Sequence, residues 1–187
     1  KARWHDGVKI TPEDVIWTFN TLVEKGHPFF RAYYGDVKSV EKTAEHQVTF
    51  RFPVSANREL PMILGQMSIL PKHYWQSRDF TKTILEPPLG SGAYRIKAFE
   101  AGRSITYERV KDYWGADLPV NKGQSNLDEI RYEYYRDRQV ATEAFKSGAF
   151  DLRGENSAKR WATSFDFPAL SAGHVVKALI PHERPTG

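Results

Sequence analysis

Thr11-Pro12-Glu13-Asp14-Val15-Ile16-Trp17-Thr18-Phe19-Asn20-Thr21-Leu22-Val23 is the stretch from which the fold can be read. Thr11 is a helix cap, Pro12 suits the first helical position, where no backbone N–H is needed, and Asp14 sits three residues after the cap to complete a capping box. Val15, Phe19, Leu22 and Val23 recur at helical spacing and give the helix an apolar face. Gly26 ends it, and Pro28 prevents its resumption. Upstream, His5-Asp6-Gly7 reads as a tight turn, since Asp-Gly tolerates the positive φ angles such turns need. Downstream, Val37–Lys42 and Gln47–Phe52 read as two strands of a hairpin, with Val48, Phe50 and Phe52 alternating against polar neighbours.

Further out, 57–65 reads as weakly helical, Pro71-Lys72-His73-Tyr74-Trp75 starts a short helical turn, and Pro87-Pro88 breaks the pattern. Three strands are predicted over 94–99, 104–110 and 130–135. Asp137 caps a second clear helix with Val140, Ala141, Ala144 and Phe145 as its apolar stripe and Gly148 as its stop. A short strand at 149–152 would complete a strand–helix–strand unit, which makes part of the sheet mixed or parallel. A last strand is expected over 174–180. The fold class is therefore α/β of the mixed α+β kind, a mixed sheet with packed helices.

Composition narrows the function. Of 187 residues 40% are hydrophobic and 13% aromatic, which supports a packed core and supplies rings of the kind that line clefts. Cysteine is absent, which removes disulfides, thiolate nucleophiles and Cys-ligated metals. The longest apolar runs, such as Met62-Ile63-Leu64, are too short to span a membrane. The net charge is +4, but 27 Lys and Arg are interleaved with 23 acids, and no basic run suited to a phosphate backbone occurs, so no nucleic-acid partner is expected.

Four spaced blocks resemble solute-binding protein family 5, the peptide- and nickel-type receptors of ABC importers. They are Trp4-His5-Asp6-Gly7 with Ile10-Thr11-Pro12-Glu13-Asp14-Val15; Ile69-Leu70-Pro71-Lys72-His73-Tyr74-Trp75; Leu89-Gly90-Ser91-Gly92-Ala93-Tyr94 with Glu108-Arg109 and Asp112-Tyr113-Trp114; and Leu127-Asp128-Glu129-Ile130-Arg131 with Ala144-Phe145-Lys146-Ser147-Gly148 and Asp151-Leu152. Tyr134-Tyr135-Arg136-Asp137-Arg138, the run 153–159 and Trp161-Ala162-Thr163 are similar to the YejA-type oligopeptide branch. Ser91 and Ala93 stand where the family commonly has Thr and Pro. The resemblance implies a type II periplasmic binding protein fold, of which this chain is a fragment of the first lobe. Residues 1–125 would be a lobe I subdomain and 126–187 a strand–helix–strand unit leading to the interlobe hinge. It implies a periplasmic location, with the signal peptide outside this chain, an oligopeptide ligand, and ABC permease subunits as partners. The membrane would be met only through the permease. No chemistry and no cofactor are implied, because binding and release are the function. Other family ligands are dipeptides, murein peptides, nickel chelates and peptide–nucleotide antibiotics. An isolated lobe can also be a purely structural module, or self-associate through surface that normally meets missing segments.

Two groups of residues are candidates for the site. On the resemblance, the segment after the first helix reaches the cleft, which points to Phe29, Phe30, Tyr33 and Tyr34; the alternative is that these rings pack around a loop. The segment after Asp151-Leu152 crosses near the hinge, which points to Arg153, Glu155, Asn156 and Trp161. There Arg can pair with a peptide carboxylate and Glu with an amino terminus; the alternative is a solvated charge cluster. His5, His27, His46, His73, His174 and His182 are scattered without metal-ligand spacing. Gly90-Ser91-Gly92 lacks the flanking residues of a phosphate loop or a nucleophile elbow. The acids, such as Glu41 and Glu45 or Glu24 with its neighbours, form no recognisable catalytic pair.

Overall fold

The computed structural model describes residues 1–53 and 57–179. The chain divides into two compact units, one of Lys1–Glu100 with Ile105–Arg131, the other of Ala101–Ser104 with Tyr132 onward.

In the first unit, helix α1 (Pro12–Lys25) begins where the capping box places it. The Asp14 carboxylate accepts the Thr11 N–H at 2.9 Å through Oδ2 and the Lys72 N–H at 2.9 Å through Oδ1. One turn later Thr18, fully buried, donates to the Asp14 carbonyl at 2.7 Å and accepts the Leu70 N–H at 2.9 Å. Two polar side chains on the buried face thus fix where residues 70–72 cross the helix. Those residues lead into α4 (Lys72–Trp75).

Gly26 closes α1 because a Cβ there would stand 2.5 Å from the Leu22 carbonyl oxygen. Pro28 stops this helix and starts the next: α2 (Pro28–Tyr34) opens with proline at its first position, and the His27 ring nitrogen accepts the Phe29 N–H at 3.2 Å. Arg31 of α2 donates to the carbonyls of Val23 and Glu24 at 3.3 and 3.2 Å, supplying partners for the last turn of α1.

The hairpin forms as β1 (Ser39–Ala44) and β2 (Gln47–Arg51), antiparallel, with Val40 opposite Phe50 and an irregularity between Lys42 and Ala44. Val40, Phe50 and Phe52 pack against a core of Phe19, Leu22, Tyr34, Leu60 and Leu64, the last two from α3 (Leu60–Gly65). The predicted Asp-Gly turn is present: Gly7 N–H donates to the Trp4 carbonyl at 2.9 Å, and Trp4 N–H to the Val8 carbonyl at 2.8 Å.

Strands β3 (Tyr94–Glu100), β4 (Ser104–Arg109) and β5 (Glu129–Glu133) form a sheet in that order. Arg109 N–H donates to the Asp128 carbonyl and Tyr134 N–H to the Arg103 carbonyl, so β4 and β5 run antiparallel. The pairs Arg95–Glu108 at 2.7 Å, Lys97–Glu129 and Arg109–Asp128 lace this sheet.

In the second unit, helix α5 (Arg138–Lys146) starts at Asp137, whose carboxylate accepts the N–H groups of Gln139 and Val140 at 2.7 and 3.0 Å. The strand expected at 149–152 does not form. With Gly148 at φ +79°, the Gly148 N–H returns to Phe145 and the Ala149 N–H to Ala144, so the Ala149 amide caps the helix instead of joining a ladder. The parallel strand–helix–strand unit is therefore not built. Ala141 is buried as expected, but Val140, also expected in the apolar stripe, is 57% exposed; Thr142 is buried instead, and its hydroxyl donates to the Arg138 carbonyl at 2.8 Å. Beyond 153 come α6 (Ala158–Thr163), capped by Ser157, and α7 (Pro168–Ser171). The strand expected over 174–180 is absent through residue 179, because the N–H groups of His174 and Val175 both go to the Ala169 carbonyl at the end of α7; Ile180 lies outside the described residues. Phe145 holds this unit together, with Phe150 at 5.6 Å and Phe165 and Phe167 at 6.4 Å between ring centroids.

The Asp14–Thr18 junction gives a direct test. Asp14→Ala strands the Lys72 N–H and opens the capping box, at an expected cost of about 2–4 kcal/mol. Thr18→Val keeps the volume but strands the Leu70 N–H, for about 1–3 kcal/mol. Urea unfolding followed by tryptophan fluorescence, to which Trp4, Trp17, Trp75 and Trp114 of the first unit contribute, measures both; midpoints matching the wild type would show that the junction is not a point of strength.

Candidate functional site

The two groups of candidate residues fall in different units. On α2, Tyr33 is 45% and Phe29 52% exposed, and their rings lie 4.0 Å apart between centroids, tilted by 31°. One helical turn separates them, which is why they share a face. Phe30 turns inward against Tyr34 at 5.9 Å, and Tyr34 is buried against Phe19, also at 5.9 Å. Burial raises the Tyr34 hydroxyl above its ordinary pKa. Residues read together in the sequence therefore separate into an exposed pair and a packed pair.

The second group gathers around an open cleft of about 510 Å³ lined by Arg138, Arg153, Gly154, Glu155, Asn156 and Arg160. Glu155 is its organising residue, with a side chain only 3% exposed. Its carboxylate accepts two N–H groups of Arg160, at 2.9 and 3.0 Å, and the Ser157 N–H at 2.8 Å, while an Arg153 nitrogen stands 3.7 Å away. Arg160 above all, then the Ser157 N–H, holds the Glu155 carboxyl at about 2, against an ordinary 4.5. Arg153 donates to the Arg138 carbonyl at 3.3 Å, and its Nε is buried with no hydrogen-bond partner among the described residues. Asn156 is exposed at the rim. Trp161 stands apart from the lining: its ring packs on Phe165 at 6.3 Å, and the Lys177 ammonium lies 4.6 Å from its centroid and donates to its carbonyl.

Arg138 and Arg160 were missed in the sequence. Arg160 follows the cap Ser157 by three residues while Glu155 precedes it by two, so the first turn of α6 folds Arg160 back over Glu155. That spacing was a readable signal. Arg138 had none, since its place in the cleft depends on the path of the chain after α5.

A third assembly joins the sequence blocks in the first unit. His5 N–H donates to the Gly90 carbonyl and the His5 ring bonds the Gly92 carbonyl, both at 2.8 Å. The His73 ring meets the Asp6 carboxylate at 2.7 Å, and the Trp114 indole N–H donates to Ser91 at 2.9 Å. Burial works to raise the Asp6 pKa, but hydrogen bonds from His73 and the Val8 N–H more than offset it and hold it below the usual carboxylate range. This Asp–His pair, 67 residues apart in the chain, was invisible in the sequence. Among the described residues no three His, Asp or Glu side chains converge as a metal site; His182 lies outside them. No helix among them is long and apolar enough to cross a membrane.

Residues 1–184 match the family described as bacterial extracellular solute-binding proteins, family 5 Middle, and the chain belongs to that family. These are binding proteins rather than enzymes. The chain is 44% identical, over 97% of its length and 30% of the relative's, to the probable peptide-binding protein YejA of Agrobacterium fabrum. It is 40% identical, over 100% of its length and 32% of the relative's, to the peptidoglycan-binding protein YepA of the same organism. It thus spans about a third of the relatives it matches. Among solved structures, a putative peptide-binding protein AppA from Clostridium difficile is similar at 28% identity and TM-score 0.70, over 87% of this chain and 34% of that one. The structure of AgaA in complex with agropinic acid, from A. tumefaciens R10, is similar at 26% and TM-score 0.72, over 87% and 32%.

Glu155 predicts an acid-sensitive loop. Because its folded pKa is depressed, its contribution to stability is complete above about 4.5 and is lost as pH falls toward 2. Amide-exchange protection of Arg160 and Trp161 should fall across that window, and Glu155→Gln should lower it at neutral pH and flatten the dependence. A variant that keeps the wild-type acid profile would assign the effect elsewhere.

Proposed function

We propose that this chain is part of the substrate-binding component of an ABC importer that captures oligopeptides in the periplasm and delivers them to the membrane permease. The observation that carries this reading is the 44% identity, across nearly the whole chain, to a protein described as peptide-binding. In the reading, residues 1–125 belong to the first lobe and 126–187 lead toward the hinge. The chain then contributes one wall of a cleft, and closure belongs to the whole molecule.

The residues fit that task. A receptor with loose sequence preference needs roomy apolar contacts for varied side chains and a few polar groups that bind what all peptides share. Phe29 and Tyr33 offer an exposed, mutually braced aromatic surface. Arg153 and Asn156 offer donors in an open cleft. Tyr34 braces α2 from beneath, Glu155 fixes the arginines, and Trp161 with Lys177 stiffens α6.

A second reading, a peptide released from peptidoglycan, is favoured by the 40% identity to the peptidoglycan-binding relative. Mass spectrometry of the ligand that copurifies with the complete protein separates the two: linear peptides of ordinary residues support the first, and peptides carrying D-residues or amino-sugar remnants support the second. A metal chelate, or no ligand together with no binding from a peptide mixture, would overturn both. Phe29→Ala and Tyr33→Ala should each weaken peptide binding by about tenfold, the equivalent of roughly 1.4 kcal/mol for one aromatic contact. Titration calorimetry on the complete protein measures this, and unchanged affinity in both would remove α2 from the wall.

A further inference from the structure

We infer that the cleft formed by Arg138, Arg153, Asn156 and Arg160 selects a carboxylate on the bound peptide, so that this receptor prefers peptides with an exposed negative charge. The inference rests on the peptide reading above and adds a charge preference and the residue Arg138.

The argument begins with the charges. Three guanidinium groups line the cleft against one carboxylate. Glu155 is spent internally: one oxygen takes the Ser157 N–H and an Arg160 N–H, and the other takes a second Arg160 N–H and faces Arg153. It is a counterion within the wall and leaves no face for a peptide ammonium group, the role foreseen for it in the sequence. An excess of two positive charges remains. The Arg138 side chain makes no ion pair among the described residues, and the buried Arg153 Nε has no partner among them.

Guanidinium groups held in this way favour carboxylates through paired, charge-assisted hydrogen bonds. Arg153 is held by the Arg138 carbonyl, and Arg160 by its two bonds to Glu155, so their positions are fixed in advance. Little side-chain freedom remains to be lost when an anion arrives. Asn156 adds an amide donor and acceptor at the rim, with no hydrogen-bond partner among the described residues, of the kind that bonds a peptide backbone. The cleft, about 510 Å³, is within the usual size of a small-molecule site. A carboxylate reaching it can come from the peptide's C-terminus or from an Asp or Glu side chain, and both present the same group.

The test uses the complete protein, freed of bound ligand, and one set of pentapeptides. Each is made with Glu or with Gln at one position, and with a free C-terminus or an amide. Calorimetry should show one of these carboxylates, side chain or terminus, strengthening binding by about tenfold over its neutral counterpart, as one charge-assisted contact does. Which arm responds names the source. Arg138→Gln should cut the preference to about threefold or less, and Arg138→Lys, which keeps charge but not the planar fork, should leave an intermediate value. Arg153→Gln, checked for folding by circular dichroism, should also reduce it. Tight binding of all four forms alike would overturn the inference and leave the peptide reading intact. A preference unchanged in Arg138→Gln and in folded Arg153→Gln would overturn the assignment to this cleft. Failure to bind any peptide would overturn the peptide reading and the inference with it.

Discussion

One buried carboxylate constrains the first unit more than any other group. Asp14 lies on the inward face of α1, where an uncompensated charge would be costly, and it is held there by hydrogen bonds to two backbone N–H groups far apart in the chain. The first, from Thr11, sets where the helix begins. The second, from Lys72, sets which residues cross it, and Thr18 repeats the function one turn on through Leu70. Apolar packing around Phe19 and Leu22 is tolerant of small shifts, whereas these bonds have a narrow range of distance and angle. The junction thus turns a general preference for burial into a specific path, from which α4 follows.

The same economy explains the family pattern. Its blocks look unrelated along the chain, yet His5 and Asp6 bind Gly90, Gly92 and His73, and Trp114 reaches back to Ser91. Turns of this kind cannot satisfy their own backbone groups, so they depend on side chains supplied from elsewhere. The blocks that identify the family are largely the joints of its scaffold. This is why they establish the fold firmly while leaving the ligand open.

Legibility from sequence followed the range of the interaction. The caps at Thr11 and Asp137 and the hairpin depend on neighbours within a few residues, and the three strands over 94–135, though β4 and β5 pair across 19 or more residues, each carry a local alternation, so all of these were readable. The strand expected at 149–152 failed through a competition between two local signals: its apolar residues favoured extension, but Gly148 drew the Ala149 amide into the end of α5. Val140 was misplaced because the Thr142 hydroxyl satisfies itself on the Arg138 carbonyl, which lets a polar residue take the buried position. Of the candidate site, the segments were legible and the individual roles were not. Phe29, Phe30, Tyr33 and Tyr34 look alike in sequence, and only the 3.6-residue turn of α2 divides them into an exposed pair and a packed pair. The role of Glu155 likewise required knowing that Arg160 folds back onto it.

That reassignment bears on how each of the two surfaces, taken by itself, would discriminate among ligands. An aromatic face binds by area and is indifferent to sequence, so Phe29 and Tyr33 would contribute affinity with little selectivity. A fixed group of arginines acts in the opposite way: desolvating it is costly unless a negative charge arrives, so neutral ligands bear a cost that acidic ones recover. Glu155 sets the size of this effect, because without it three neighbouring guanidinium groups would repel one another and lose their geometry. A second internal carboxylate would halve the excess, from two charges to one. One glutamate among three arginines holds Arg160 and faces Arg153 while leaving charge to spare, and it is this ratio, more than the presence of any single arginine, that would make the cleft selective.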